Sequence, residues 1–247
     1  EILFQIAALQ GILPGVSTYY FSPYARVYYR REGFSNSVMN RYGWHYPDFR
    51  AGTSGRQIIL IGDSFIHALQ VPPAKHIGSL LQNFLQKETG DDTHPRVRAF
   101  GLSGIGPAYY LELMKYSNRY FSPSFFIVFV CLGNDFSNSS AETQKEMAPR
   151  EYIYYRMDTT GTVSILPQSH HARDAFQARL DANHAITPEV LLRTGFSYFM
   201  TPHVIRSILT LSQRPDTEYA SMPDCQKNIK NYFTSHMIDA SIFQSPL

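Results

Sequence analysis

The run Ile58-Ile59-Leu60-Ile61 constrains this chain most, standing between polar Arg56-Gln57 and Gly62-Asp63-Ser64. A half-exposed strand alternates apolar and polar residues, so a run without alternation reads as a strand buried on both faces, the pattern of a parallel sheet covered by helices. After it come Phe65-Ile66-His67-Ala68-Leu69 and Val71-Pro72-Pro73, which predict a sharp turn and one short helical turn before a proline-rich bend. Ser64 then stands at the carboxyl end of the strand, where open α/β sheets place their ligands.

The layout recurs. Phe125-Phe126-Ile127-Val128-Phe129-Val130-Cys131-Leu132 is a second apolar run, expected as a core strand, and it ends in Gly133-Asn134-Asp135. Between the two lies Val97-Arg98-Ala99-Phe100-Gly101, a shorter strand leading into Leu102-Ser103-Gly104-Ile105-Gly106-Pro107 and a helical stretch from Ala108 to Tyr120. Three strand ends thus carry Gly62-Asp63-Ser64, the glycines 101, 104 and 106, and Gly133-Asn134-Asp135. Taken alone, Gly62-Asp63-Ser64 fits an ordinary strand-to-helix turn with Asp63 or Ser64 as the cap. Likewise the loop glycines fit positions of positive φ. The loop's Gly-x-x-Gly-x-Gly spacing matches neither the dinucleotide fingerprint nor the P-loop, so a nucleotide site is not expected.

The three blocks in this order resemble the SGNH (GDSL-type) hydrolases, with Gly62-Asp63-Ser64, Gly104 and Gly133-Asn134-Asp135 matching the first three blocks of that family. The resemblance implies an α/β fold with a three-layer α/β/α, flavodoxin-like parallel sheet, here carrying a helical insertion. It makes Ser64 the nucleophile, and it builds the oxyanion hole from the backbone N–H groups of Ser64 and Gly104 and the side-chain amide of Asn134. Upstream, Asn40-Arg41-Tyr42-Gly43-Trp44 and Pro47-Asp48-Phe49 are similar to the lead-in of a bacterial subgroup. That subgroup often has an asparagine where this chain has Ala99.

Family members take the serine's proton with a histidine from an Asp-x-x-His block near the C-terminus. The chain has Asp181-Ala182-Asn183-His184, whose pattern fits. Its position does not, because the polar interval from Ser137 to Ala172 holds no recognisable strand–helix crossover. His184 is therefore expected as a surface or helix-cap residue. The alternatives for the base are His184, oriented by Asp181, or a residue beyond Leu247 in a hydrolase domain that is incomplete at its C-terminus. Other histidines have plain readings: His170-His171 in a polar loop, His203 near a helix start, His67 packed on the turn after Ser64.

The division expected is a lead-in segment over residues 1–55 and the hydrolase-like domain over 56–247. Residues 172–212 read as the helical insertion, built from helices over Asp174–Leu180, Pro188–Phe199 and Pro202–Leu211, which would act either as a lid over the sheet's ligand edge or as cover for its face. A weak helix around Gln226–Phe233 follows in the tail. The apolar run Ile2 to Pro14 is too short to span a bilayer. It reads equally as the stub of a membrane anchor upstream of residue 1, which the subgroup often carries, or as an amphipathic helix packed on the domain.

With a net charge of +2 and 17% charged residues, the chain has no basic field of the kind nucleic-acid binding needs. Cys131 and Cys225 make neither a disulfide framework nor a metal site, and the compartment stays open. The aromatic clusters Tyr19-Tyr20-Phe21, Tyr28-Tyr29 and Tyr152-Ile153-Tyr154-Tyr155 suit a sugar or acyl groove, or packing under loops. The function implied by the resemblance is hydrolysis of O-acyl esters on carbohydrate or lipid-like molecules through an acyl-serine, with no cofactor and no metal. Acyl transfer to a sugar hydroxyl and non-catalytic binding are the alternatives.

Overall fold

The computed structural model describes residues 21–29, 33, 35–50, 55–89, 94–141 and 152–197. The N-terminal run, the helix expected over Pro202–Leu211, the tail and Cys225 lie outside them.

Three parallel strands carry the rest. The apolar run forms β3 (Gln57–Gly62), flanked by β4 (Arg96–Gly101) and β5 (Phe125–Val128) in the order β4-β3-β5. Leu60 lies opposite Ala99 on one side and Ile127 on the other, and Gly62 lies opposite Gly101. Burial of Ile59, Leu60 and Ile61 is complete, as expected for a central strand.

After β3 comes the single helical turn α1 (Ser64–His67), then α2 (Ile77–Thr89). After β4 comes α3 (Pro107–Phe121), which has proline in its first turn and ends on Ser122 in the left-handed conformation. Tyr110, Leu113, Tyr116 and Phe121 on α3 are buried with Phe100 of β4 and Trp44 of the lead-in in the main core. Trp44 reaches it because Asn40 Oδ1 accepts the N–H groups of both Tyr42 and Trp44, at 3.0 Å each, and folds the chain back on itself. Ahead of that turn, β1 (Arg26–Tyr29) and β2 (Ser35–Val38) form an antiparallel hairpin.

The edge of β4 is closed by side chains. Tyr46 donates its hydroxyl to the Val97 carbonyl at 3.0 Å, and Gln82 Oε1 accepts the Val97 N–H at 2.8 Å, so the two supply bonds that a further strand would have made. Burial pushes the Tyr46 phenol up to about 12. Next along β4, the Arg98 guanidinium lies between the rings of Phe49 and Phe121, 4.7 and 5.0 Å from their centroids. Burial pulls it down to about 10.

Several expectations change here. The second apolar run is ordered as a strand only over Phe125–Val128, and it is not a buried one: Phe125 is 59% exposed and Ile127 40%. A continuous apolar run is buried only if something packs on it, and among the described residues β5 pairs with β3 alone. Cys131 therefore sits in the turn beyond the strand rather than inside it. The interval from Ser137 to Ala172 holds the short helix α4 (Asp135–Asn138) at its start and then a hairpin of β6 (Tyr155–Met157) and β7 (Val163–Ile165). His170 and His171 open a helix, α5 (His170–Ala185), instead of lying in a loop, and α6 (Pro188–Ser197) follows it.

Helix α5 runs beside α3 in the same direction. Phe176 meets Tyr109 edge-on at 5.0 Å, Gln177 Nε2 donates to Glu112 Oε2 at 2.6 Å, and Asp181 accepts from Arg119 at 3.0 Å and from Tyr120 at 2.9 Å. Within the described part of the insertion α5 covers α3, and α6 packs on the lead-in, where Thr194 Oγ1 donates to the Pro23 carbonyl at 2.6 Å. The aromatic clusters pack in the same way: Phe21 against Trp44 at 4.7 Å, and Tyr109 against Tyr152 at 6.2 Å.

Candidate active site

Ser64 is the first residue of α1 and is exposed at the carboxyl end of β3. Asp63 caps that turn, its Oδ1 accepting the Phe65 N–H at 3.0 Å. The other carboxylate oxygen, Oδ2, accepts from Ser64 Oγ and from Asn134 Nδ2, both at 3.4 Å. Asp63 thus places the serine and the asparagine on one atom, although they are 70 residues apart in sequence.

Asn134 comes from the turn after β5, which is held by its neighbour. Asp135 is buried, and its Oδ2 accepts the Cys131 N–H and the Tyr110 hydroxyl, each at 2.7 Å. Burial raises the Asp135 carboxyl above its usual range and Asp63 adds to the rise, while the two donors oppose it. The Tyr110 phenol is pushed upward by burial and by the same carboxylate.

The glycine loop joins these pieces through close approach more than through positive φ. Of its three glycines only Gly104 has positive φ, +77°, and it has open space around it. Gly101 is where α1 lies directly on β4: a Cβ there would fall 2.2 Å from His67 N and 2.3 Å from the Ile66 carbonyl carbon. Gly106 is where the loop meets the third block, a Cβ there falling 2.6 Å from the Asp135 carbonyl oxygen. The flanking glycines bring the nucleophile turn and the asparagine turn against one loop, and the exposed Gly104 lies between those two contact points in sequence.

His184 is elsewhere. It is in the last turn of α5, stacked on Tyr120 at 3.9 Å and on Tyr42 at 4.9 Å, with Nδ1 3.4 Å from the Tyr116 hydroxyl. Tyr116 and Tyr120 lie toward the far end of α3, which starts at the carboxyl edge of the sheet and runs back toward the amino edge over 15 residues, roughly 22 Å. Asp181, the other half of the block, is engaged by Arg119 and Tyr120. The expected surface or cap histidine is thus a half-buried aromatic packing residue, and burial lowers its basicity. Among the described residues Ser64 makes its side-chain hydrogen bond to Asp63 and none to a histidine.

Sequence reasoning missed a set of three buried histidines around α1. His76 Nε2 lies 2.6 Å from the Ile66 carbonyl oxygen and His45 Nδ1 lies 3.2 Å from that of His67, while the Ser103 N–H donates to His67 Nδ1 at 3.2 Å. Their separation along the chain leaves no local signal; only the clustering of His67 and His76 about the serine block could have drawn notice. Among the described residues no group of three or more His, Cys, Asp or Glu side chains is arranged to hold a metal ion, and no helix is long and apolar enough to cross a membrane.

No protein-family model matches the chain, and no curated protein matches it. Among solved structures it is similar to AlinE4, described as an SGNH-hydrolase family esterase, at 14% identity and a TM-score of 0.30, over 78% of this chain and 99% of that one. Two mutants of the same esterase match at the same identity and TM-score, over 79% of this chain and 99% of theirs. A TM-score of 0.30 is too low to transfer a fold or an activity.

Proposed function

We propose that the chain is a serine ester hydrolase of the SGNH type, acting on O-acyl esters through an acyl-serine intermediate. The observation that carries this reading is that Ser64 and Asn134, from the ends of adjacent parallel strands, meet on one Asp63 oxygen while Gly104 lies exposed in the loop packed against both turns. The order second, first, third along the sheet supports the flavodoxin-like arrangement. With right-handed crossovers, such an order sends α2 and α3 to opposite faces and opens a crevice at the carboxyl ends of β3 and β5.

In the proposed reaction Ser64 Oγ attacks the acyl carbonyl carbon and a general base takes its proton. The carbonyl oxygen becomes an oxyanion, held by the N–H groups of Ser64 and Gly104 and by the Asn134 amide. Collapse of the tetrahedral intermediate expels the alcohol, which leaves with the proton, and water then hydrolyses the acyl-serine by the same steps. His184 stacks on Tyr120 and Tyr42 instead of reaching Ser64, so this reading assigns the base to a histidine outside the described residues. Carbohydrate O-acyl groups or lipid-like esters are the substrates this site suits; Phe65, 66% exposed beside Ser64, offers an apolar surface to the acyl part.

The position of His184 favours one second reading, a non-catalytic module that binds the same esters. A single experiment separates the two. Release of acetate from an aryl acetate and from an O-acetylated oligosaccharide is measured for the protein and for Ser64→Ala. Turnover lost in the variant, with an unchanged circular dichroism spectrum, supports the hydrolase. A wild-type rate no higher than that of Ser64→Ala rejects it.

A further inference from the structure

Helix α1 is one turn long, and an isolated turn of that length does not hold itself together, since nucleation is unfavourable and its last carbonyls have no partner further along. Here the partners are imidazoles. The Gly78 N–H donates to His76 Nδ1 at 3.0 Å, which leaves the proton of the neutral ring on Nε2, facing the Ile66 carbonyl at 2.6 Å. His45 Nδ1 faces the His67 carbonyl at 3.2 Å, while its Nε2 lies 2.8 Å from Ser37 Oγ. Two histidines thus stand where the next turn's N–H groups would be. Chain reversal follows at once, at Ala68 in the left-handed conformation.

The third histidine faces the loop. His67 is buried, and its Nδ1 is the acceptor for the Ser103 N–H at 3.2 Å, with Ser103 Oγ also 3.0 Å away. Ser103 immediately precedes Gly104 and is itself exposed, so this contact is a restraint on the loop at the point where it enters the site. We propose that His67 is a positioning residue that clasps the Gly104 loop to the Ser64 turn through Ser103, with His76 and His45 holding that turn from behind. The clasp sets the distance between the serine and the Gly104 N–H, which is the quantity an oxyanion hole depends on. It rests on the reading of Ser64 and Gly104 given above. Burial lowers the basicity of all three rings, which keeps them neutral and their acceptor nitrogens free for these bonds.

The test uses the whole chain and two readouts that need no turnover. In the wild type, two-bond proton–nitrogen spectra should place the His67 proton on Nε2 between about pH 6 and 8. A proton on Nδ1 overturns the proposal, because that nitrogen could not then accept from Ser103. In His67→Phe, which keeps a ring and removes the acceptor, the Ser103 amide should exchange with solvent roughly tenfold faster while β3 amides are unchanged. His67→Asn, whose Oδ1 can stand near the lost Nδ1, should restore most of the protection. Equal Ser103 exchange in the wild type and His67→Phe refutes the clasp. If His67→Phe does not fold, the wild-type spectrum decides alone. Where turnover is present, kcat should fall about ten- to a hundredfold in His67→Phe with KM little changed, and recover in His67→Asn. A protein that shows the tautomer and the exchange pattern but hydrolyses nothing keeps the clasp and loses the hydrolase reading.

Discussion

Gly101→Ala is the most direct test of how the site is assembled. The added Cβ would stand 2.2 Å from His67 N, 2.3 Å from the Ile66 carbonyl carbon and 2.8 Å from the Ile66 oxygen. All three are backbone atoms of α1 and cannot rotate away. The turn would have to retreat as a body by about 1 Å, at the upper end of what overpacking costs, about 3 kcal/mol. For a chain of this size that is a fall in Tm of roughly 6–12 °C. The comparison is Gly104→Ala, whose Cβ would meet nothing within 4 Å and whose cost is the positive φ of 77° alone, about 1–2 kcal/mol. Urea unfolding followed by the fluorescence of Trp44, the single tryptophan and a core residue, reads both. If Gly101→Ala falls within about 1 kcal/mol of the wild type, α1 does not lie on β4 as described and the reasoning fails.

Three further outcomes are expected. Burial opposes ionisation of Glu112, but donors from Lys115, Tyr155 and Gln177 outweigh it and hold the carboxyl below its usual 4.5; its contribution is present above that value and lost as pH falls below it. Glu112→Gln should therefore lower stability by about 2 kcal/mol at pH 7 and by less at pH 3, and equal losses at both would remove the charge from the explanation. Burial depresses His45 to about 4 and His67 to about 3 from 6.5, so both stay neutral in the fold while the unfolded chain takes up protons. Stability is thus full above pH 6.5 and should fall as pH drops through the window below it, by at most about 1.4 kcal/mol per pH unit for each group, and an unchanged urea midpoint between pH 7.5 and 5 contradicts this. Gln82→Leu unseals the edge of β4 by removing two hydrogen bonds, from the Val97 N–H and to the Pro95 carbonyl, and at about 1 kcal/mol each should lower Tm by roughly 4–8 °C, measured by calorimetry.

The sequence shows the parts of this fold that local physics decides. A short unbroken run of isoleucine and leucine bounded by polar residues reads as a buried strand, and β3 is one; a proline-initiated apolar stripe after the glycine loop becomes α3. The equally apolar run of β5 is exposed, because burial belongs to the neighbour and not to the strand. Strands of three residues, like β6 and β7, are too short to show a period. At the candidate site, the polar residues at the three strand ends were legible, and their bond partners were not. Nothing local in Gly101 says that it makes room for a helix instead of bending a loop. Nothing in Asp181-x-x-His184 says that it stacks on tyrosines, for the pattern records spacing alone while packing against Tyr42 and Tyr120 depends on elements more than sixty residues away.

The two borders of the sheet differ in kind. At β4 a tyrosine hydroxyl and a glutamine amide terminate the ladder, so the strand offers little to an incoming chain. At β5 no strand pairs on the outer side among the described residues, and Phe125, Ile127 and Val128 are exposed. Self-association of the described fold is therefore directional: copies meeting through β5 would extend the sheet, whereas copies meeting through β4 would first have to displace Tyr46 and Gln82. Growth of the described sheet is in that sense set by one strand, and a lysine on the exposed face of β5 should hinder it.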